Sequence, residues 1–321
     1  MPLKNANATL LPDVGMLALE YARNRGSLIG DQVLPIVRRG SRTGFYPVLD
    51  VQSLAKTADT RRAPRGRYAR VDYEVNQDTF ACVENGIEEV IDDSEANELS
   101  QWYDCIQQSA DNCAWIALLS YEQRVADLVM DSSLYGDQTS TPATAWNASS
   151  SDPYGDVQTA KNAILANTGV RPNTIIMGRA ARQALNTNAA IVDRIKYSDD
   201  VVSLGELPDS FLAAFFGVDR ILVGQTYYDA APLGQDVSMS TIWPEEDVLV
   251  CAINPSENLR TPTLGHTVLW TGDSPEMLVT ETYRSDEVRS DVVRCRHHTD
   301  EKITLAQAGY LLTDAYVESS P

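Results

Sequence analysis

Residues 92–131 read DDSEANELSQWYDCIQQSADNCAWIALLSYEQRVADLVMD, and this stretch decides the fold. Its apolar residues recur at spacings of three and four, the period of one face of an α-helix, and it contains neither Gly nor Pro. Asp92 and Glu95 predict the helix start, and residues 132–136 supply the stop. At about 1.5 Å per residue the helix would be roughly 60 Å long. We therefore expect a backbone helix along which the chain packs; a helix of an ordinary bundle or coiled coil is the alternative. The predicted buried face is Leu99, Trp102, Tyr103, Ile106, Ala110, Cys113, Ala114, Ala117, Tyr121, Val125, Leu128 and Val129.

The composition is that of a folded chain. With 321 residues, of which 43% are hydrophobic, the chain can bury a sizeable core in one large or two modest domains. It has no apolar run long enough to span a bilayer and no signal-peptide pattern, so we expect synthesis and folding in the cytosol. Its cysteines show no metal-ligand spacing, which favours reduced structural thiols over a disulfide framework or a zinc site. They are Cys82, Cys105, Cys113, Cys251 and Cys295.

Charge is unevenly distributed along the chain. The net charge is −19, yet residues 1–70 contain 12 Lys/Arg and 5 Asp/Glu, whereas residues 71–321 contain 14 and 40. A basic first part on an acidic body is typical of an arm that binds nucleic acid, or of an arm that lies on the acidic body of a neighbouring copy. The strongly acidic total favours the second interpretation.

The first 75 residues lack the pattern of a packed domain. Residues 1–37 predict an extended arm with a short helix at 14–23 and an apolar anchor near Pro35. Residues 38–73 have strand-like ends, FYPVLDV and YARVDY, around a Gly/Pro/Ala/Arg-rich middle, which predicts a two-stranded excursion. Such a hairpin is marginal alone in water, so another chain should hold it. Its arginines predict a docking strip for a partner's carboxylates rather than a solvated loop: Arg61, Arg62, Arg65, Arg67 and Arg70.

The pattern of secondary-structure signals changes twice in the second half of the chain. Over residues 156–255 helix and strand signals alternate, which predicts an α/β domain contiguous in sequence. From residue 265 strand signals dominate, and RSDEVRSD at 284–291 predicts the turn of a long hairpin that packs against the backbone helix.

Motifs that indicate catalysis are missing from the sequence. There is no HExxH, Walker or GxGxxG motif and no Ser/His/Asp signature, so we expect neither enzyme activity nor a cofactor. His266, His297 and His298 lie in strand contexts, where we expect a surface or interface role rather than metal ligation or general-base catalysis. The carboxylates at the helix entry favour the helix dipole rather than a metal site. They are Glu88, Glu89, Asp92, Asp93 and Glu95.

Seven segments in fixed order carry a resemblance to a known family. They are IEEVIDDSEAN (87–97), YEQRVADLVMD (121–131), TAWNASSSDPYGDVQTAKNAI (144–164), TGVRPNTIIMGRAARQAL (168–185), IVDRIKYSDD (191–200), FFGVDRILVGQTYYDAA (215–231) and KITLAQAGYLLTDAY (302–316). Together they resemble the tailed-phage major capsid proteins, particularly the branch related to the lambda-type major capsid protein E. No single segment is diagnostic, but the resemblance covers nearly the whole chain.

The resemblance implies an α+β fold, the Hong Kong 97-like phage capsid fold. It divides the chain into an N-terminal arm (1–37), an E-loop (38–75), a peripheral domain with a long spine helix (76–145), an axial domain (146–262) and C-terminal strands of the peripheral domain (263–321). In that family axial domains meet around five- and six-fold axes, and E-loops lie over neighbouring subunits. By position, residues 186–208 should line the capsomer axis, with intersubunit contacts from Arg194, Lys196, Asp199, Asp200 and Glu206. A cross-link through Lys56 is not expected, because no partner residues are identifiable.

The implied function is that of a major capsid protein. It would self-assemble into hexamers and pentamers of an icosahedral head shell that encloses double-stranded DNA without sequence-specific binding. Further partners would be a separate scaffold, a portal and a decoration protein, with no membrane and with assembly in the host cytoplasm. An acidic wall suits such a container, because phosphate–cation contacts would hinder DNA packing and release. An encapsulin-type nanocompartment shell protein is the alternative, and an unrelated acidic α/β enzyme is a third reading.

Overall fold

The computed structural model describes residues 8–25, 28–48, 60–62, 64, 66–68, 70, 76–99, 101–195, 207–232, 234–256 and 262–317. The helices are α1 (Pro12–Arg25), α2 (Gly30–Val33), α3 (Asp93–Leu99), α4 (Cys105–Val129), α5 (Pro153–Thr168), α6 (Arg179–Thr187), α7 (Ala189–Ile195) and α8 (Asp209–Phe216). The strands are β1 (Thr9–Leu10), β2 (Ile36–Arg39), β3 (Thr43–Val48), β4 (Asn76–Ala81), β5 (Val83–Asp92), β6 (Thr139–Ser140), β7 (Thr174–Gly178), β8 (Arg220–Gly224), β9 (Tyr227–Asp229), β10 (Met239–Thr241), β11 (Val248–Cys251), β12 (Gly265–Trp270), β13 (Val279–Ser285), β14 (Ser290–Ile303) and β15 (Gly309–Leu312). Short 3-10 turns lie at Ser132–Leu134, Gly136–Gln138 and Ala306–Ala308.

The long helix is shorter than the sequence predicts. Residues 93–131 form two helices, α3 and α4, and α4 has 25 residues, or roughly 37 Å at the usual rise. The Asp104 side chain accepts from the backbone N–H groups of Ile106 and Gln107, so it caps the N-terminus of a new helix. Trp102 and Tyr103, which the spacing predicts on the buried face, are instead exposed in the connection, Trp102 to 77%. The prediction of a single helix over residues 92–131 is therefore wrong for the first quarter of that range.

The helix entry also differs from the prediction. Glu88, Glu89 and Asp92 belong to β5 rather than to a helix, because that segment pairs with β14 along its whole length. Asp93 and Glu95 do lie in the first turn of α3, where negative charge is favourable.

The first sheet is built around β14. This strand pairs antiparallel with β13 over residues 290–296, with β12 over 299–303 and with β5 over 290–299. β1 pairs with β13, and β2 pairs in parallel with β12. The antiparallel β13–β14 hairpin confirms the hairpin predicted around RSDEVRSD, and α4 packs against β14.

The second sheet has the order β6-β15-β11-β7-β8. Its β7 and β8 are parallel and are connected through α6, α7 and α8, which confirms the predicted alternation of helix and strand. Successive residues of a strand point to opposite faces. Accordingly, Ile176 and Leu249 pack in a core with α4, whereas Ile175 and Val250 pack in a second core with α5 and α8.

The C-terminal strands are divided between the two sheets. β12, β13 and β14 lie in the first sheet, but β15 lies in the second, between β11 and β6. This differs from the predicted grouping of residues 263–321 in one domain. The physical reason is that β11 has hydrogen-bonding groups on two edges. β7 pairs with one edge, and β15 pairs with the other.

The N-terminal segment lies on the long helix. The predicted helix at 14–23 is confirmed as α1, whose Ala18 and Ala22 are buried in the core that contains the α4 residues. The predicted apolar anchor is confirmed as well, because Val33, Leu34 and Val37 are buried.

The predicted excursion starts from a two-stranded ladder. β3 pairs antiparallel with β4 from Thr43 opposite Ala81 to Val48 opposite Asn76. The returning strand is thus at 76–81, later than predicted, and most of YARVDY lies outside the described residues. Across the ranges that the structure describes, the helices lack the combination of length and apolar character needed to cross a membrane.

A pair of charge insertions tests the orientation of α4. Val125 is fully buried and Ile116, on the same helix, is nearly half exposed. Val125→Asp should lower the free energy of unfolding by about 3–5 kcal/mol because it buries an unpaired charge, and Ile116→Asp should change it by about 1 kcal/mol or less. Chemical denaturation followed by circular dichroism measures both, and equal losses would contradict this orientation.

Candidate assembly site

One buried carboxylate joins three parts of the chain. Glu122 lies on the buried face of α4 and is 1% exposed. Its Oε1 accepts from the Ile29 backbone N–H at 2.9 Å and from the Trp243 indole Nε1–H at 2.7 Å. Its Oε2 accepts from the Gly30 N–H at 2.7 Å. Glu122 therefore ties the N-terminal segment at α2 and the connection between β10 and β11 to the long helix.

Close packing surrounds this carboxylate. A Cβ at Gly30 would lie 2.6 Å from Oε2 of Glu122, so the chain needs glycine there for a close approach. Trp243 is fully buried, and a Cβ at Gly224 on β8 would lie 2.2 Å from its Cγ. Both glycines are required by the positions of Glu122 and Trp243.

Burial raises the pKa of Glu122, and the hydrogen bonds from Ile29, Trp243 and Gly30 offset part of that rise by stabilising the charged form. Glu122 is not among the functional residues predicted from the sequence. The available signal was a single acid on the apolar stripe of the helix, three residues before Val125 and four after Leu118.

Helix α1 leaves apolar side chains in solvent. Met16 is 69% exposed and Leu17 is also exposed, although the opposite face of α1 is buried. Met16 and Leu10 border a groove between α1 and residues 273–280. The groove is lined further by Leu19, Leu278, Val279, Pro275 and the carboxylate-bearing Glu20 and Glu276.

The predicted arginine strip is exposed where the structure describes it. Arg61, Arg62, Arg67 and Arg70 are exposed, and Arg65 lies outside the described residues. The Arg62 Nε–H donates to the Gly66 carbonyl at 2.7 Å, and its guanidinium lies 4.5 Å from the centroid of the Tyr68 ring. Tyr68 is itself 73% exposed. The strip thus presents guanidinium groups and an aromatic ring to solvent.

The ladder at the base of this strip is anchored on one face. Tyr46 and Phe80 are buried with Val37, Cys82 and Val268 against the first sheet. The Tyr46 hydroxyl donates to Asp78 at 2.9 Å, and burial together with this bond raises the pKa of Tyr46. Phe45, on the opposite face, is exposed. The base is therefore fixed to the subunit, while its outer face is available to another surface.

An acidic strand edge lies on the same sheet. Among the described strands, β14 is the one that pairs with β5, so the second edge of β5 has no strand beside it. Glu84, Glu88 and Asp92 of β5 are exposed. Open edges of long strands pair readily with other chains.

The residues predicted to line a capsomer axis are mostly not described. Arg194 lies in α7, near its C-terminal end. Lys196, Asp199, Asp200 and Glu206 lie outside the described residues, as does Lys56. Apart from Arg194, these predicted contact residues therefore remain outside the part of the chain that the structure describes.

The expected surface or interface role of the histidines is wrong. His266, His297 and His298 are all buried, because β12 and β14 are interior strands of the first sheet. His297 Nε2 lies 3.1 Å from an Arg124 guanidinium nitrogen, and His298 Nδ1 lies 3.0 Å from the Ser274 hydroxyl. Burial lowers the pKa of His297 to about 4. Within the described ranges, no group of three or more His, Cys, Asp and Glu residues could hold a metal ion.

Comparison with known proteins gives one consistent result. Residues 136–263 match the family described as phage major capsid protein E. The major capsid protein of Burkholderia phage BcepMu is 28% identical over 312 residues, covering 94% of this chain and 95% of that protein. A phage-related protein from Bordetella bronchiseptica superimposes with a TM-score of 0.71 at 22% identity, covering 97% and 99% of the two chains. A putative capsid protein of an Escherichia coli CFT073 prophage gives 0.55 at 9% identity, covering 96% and 99%.

The mixed helix and sheet architecture is the Hong Kong 97-like fold of phage capsid proteins, as the resemblance implied. Within that class, the chain is similar over most of its length to two curated phage major capsid proteins, and residues 136–263 match phage major capsid protein E. The encapsulin-type alternative is not favoured, because the curated relatives come from phages.

Removing the buried carboxylate should loosen the subunit. Glu122→Ala leaves three buried N–H donors unpaired, so the free energy of unfolding should fall by about 3 kcal/mol or more. Asp127→Ala, an exposed acid on the same helix, is the matched control and should cost about 0.5 kcal/mol or less. Chemical denaturation compares the two, and equal effects would show that the three hydrogen bonds do not hold the subunit together.

The raised pKa of Glu122 predicts a pH dependence. The folded chain binds the proton of Glu122 more tightly than the unfolded chain does, because the pKa is raised in the folded state. The contribution of Glu122 to the free energy of unfolding therefore falls as the pH rises from the ordinary glutamate range through the raised pKa. The stability of the wild-type chain relative to Glu122→Gln, which cannot titrate, should therefore decrease over that interval. Denaturation curves at a series of pH values measure it, and a constant difference would contradict the raised pKa.

Proposed function

We propose that copies of this chain associate into pentamers and hexamers, which close into an icosahedral head shell around packaged double-stranded DNA. The observation that carries the proposal is the set of apolar side chains that the folded subunit leaves in solvent on its peripheral elements. They are Leu10, Met16 and Leu17 near the N-terminus and Phe45 and Tyr68 on the excursion. Apolar surface of this kind marks contacts with other chains, and identical copies in a closed array can cover it.

The domain division follows the same proposal. Residues 1–37 serve as the N-terminal arm, 38–75 as the E-loop, 76–145 with 263–303 as the peripheral domain, and 146–262 with β15 as the axial domain. The peripheral group contains most of the sheet around β14 together with α4, and the axial group contains most of the sheet around β11. This supports two units joined by the Glu122 contact.

The arginine strip docks on the acidic body of a neighbouring copy in this proposal. The strip presents Arg61, Arg62, Arg67 and Arg70, whereas the open edge of β5 presents Glu84, Glu88 and Asp92. Opposite charges on two surfaces of one chain favour contact between copies, because each copy carries both halves. A net charge of −19 also keeps the wall from binding the DNA phosphates tightly.

Other virion components complete the proposal. A separate scaffold protein and a portal take part in assembly in the host cytoplasm, and a decoration protein is a further candidate partner of the shell. The DNA is enclosed without sequence-specific contacts.

Replacing the four exposed arginines tests the strip. Arg61, Arg62, Arg67 and Arg70 changed together to Ser should leave the circular dichroism spectrum unchanged and weaken shell assembly by roughly tenfold or more, since several charge pairs are lost. Changing the same four to Lys keeps the charge and should retain most of the assembly. Sedimentation measures shells against free subunits.

Two outcomes would contradict this part of the proposal. Normal shells from the Ser variant would show that the strip does not hold neighbours together. Normal shells that no longer retain DNA would favour the nucleic-acid arm instead.

The capsomer axis provides a separate test. In the proposal, residues 186–208 of successive copies meet head to tail, with Arg194 and Lys196 of one copy near Asp199, Asp200 and Glu206 of the next. Reversing both cations, Arg194→Glu with Lys196→Glu, should block pentamers and hexamers without unfolding the subunit, because like charges would then face each other around the ring. Native mass spectrometry counts the rings, and intact rings at ordinary salt would rule out this contact.

A further inference from the structure

Two buried thiols meet between the long helix and the central strand of the first sheet. Cys113 lies on the buried face of α4, and Cys295 lies on β14. The Cys113 Sγ is 3.9 Å from the Val293 carbonyl oxygen, and the Cys295 Sγ is 3.7 Å from the Ala110 carbonyl oxygen. Each sulfur thus reaches the backbone of the element that carries the other one. The two thiols are also close enough for each to shift the pKa of the other.

The surroundings distinguish the two sulfurs. Cys295 lies 3.3 Å from the Thr280 hydroxyl. The contacts with Cys113 and with this hydroxyl lower the pKa of Cys295 against the opposing effect of burial, whereas the contact with Cys295 and burial raise the pKa of Cys113. The Thr280 hydroxyl can donate to a Cys295 thiolate, whereas the Val293 carbonyl beside Cys113 can only accept. Cys295 is therefore the nucleophile of the pair, and Cys113 is the resolving thiol.

We propose that Cys113 and Cys295 are an oxidisable pair that forms a disulfide between α4 and β14 when the protein meets a peroxide. The Cys295 thiolate attacks one oxygen of hydrogen peroxide, the O–O bond breaks, and hydroxide leaves with formation of a sulfenic acid. Hydroxide takes the proton of Cys113, whose sulfur then attacks the sulfenic sulfur. The S–S bond forms as the S–O bond breaks, and the hydroxide that leaves takes up the proton that Cys295 released on ionisation. Two thiols and one hydrogen peroxide thus give one disulfide and two waters.

Peroxide suits this site because of its size. Cys113 is 2% exposed and Cys295 is fully buried. A molecule little larger than water can reach such a site through local opening of the helix from the sheet, whereas a large disulfide reagent needs a wider opening. The bond would close a long loop and fix α4 on β14, which disfavours the unfolded chain.

The biological setting of this pair rests on the proposed function. A shell assembled with reduced thiols leaves the cytoplasm for oxidising surroundings, where disulfides persist. The chemistry itself depends on the folded subunit alone, so it is testable whether or not shells form.

The experiment treats the purified full-length chain with dilute hydrogen peroxide, blocks the remaining thiols and digests the chain without reduction. Mass spectrometry should find a peptide containing Cys113 joined to one containing Cys295, with the loss of two hydrogens and reversal by dithiothreitol. The oxidised chain should also unfold at a midpoint several degrees above that of the reduced chain.

Matched variants assign the bond. Cys113→Ala should abolish the cross-link and leave Cys295 as a sulfenic acid that dimedone traps, while Cys82→Ser, another buried cysteine, should leave the cross-link intact. Sulfinic or sulfonic acid on both sulfurs without a cross-link would overturn the proposal. So would two unmodified thiols in the folded chain under conditions that oxidise the half-exposed Cys105, or a cross-link that lowers the unfolding midpoint.

Discussion

The relative placement of the long helix, the N-terminal segment and the second sheet depends on one carboxylate. Glu122 takes a charge into the protein interior, which is unfavourable unless hydrogen-bond donors surround it. Here two backbone N–H groups and one indole N–H donate to it, and they come from residues 29–30 and residue 243. Apolar contact alone would allow several relative positions of these parts, whereas three directed hydrogen bonds allow one.

A subunit organised in this way has a fully packed interior and a periphery with exposed apolar and charged groups. The two cores on either face of the second sheet bury their aliphatic side chains almost completely. At the periphery, α1, the β3–β4 ladder and the β5 edge keep apolar groups, guanidinium groups and strand backbone in solvent. The same chain therefore has a closely packed interior and a periphery that the proposed contacts with other copies would cover.

Sequence reasoning worked where a periodic pattern was buried on one face. The buried stripe from Ala110 to Val129, the parallel strands β7 and β8, and the β13–β14 hairpin all follow from period and turn residues. Prediction from the sequence failed where local capping or long-range strand pairing decided which secondary structure formed. Asp104 starts a new helix within an uninterrupted helical pattern, and the strand signal in β5 was masked by its carboxylates. The hydrogen bonds of Glu122 link residues about 90 to 120 positions apart, and sequence spacing carries no record of them.

The position of β15 has a consequence for how the protein is made. This strand lies between β6 and β11, so the second sheet stays incomplete until residues 309–312 have left the ribosome. Pairing between residues so far apart in the chain is slow compared with local helix formation. A chain that stops before residue 309 consequently leaves one edge of β11 open, and open strand edges pair readily with other chains. The order of synthesis therefore makes β15 the strand that closes this edge.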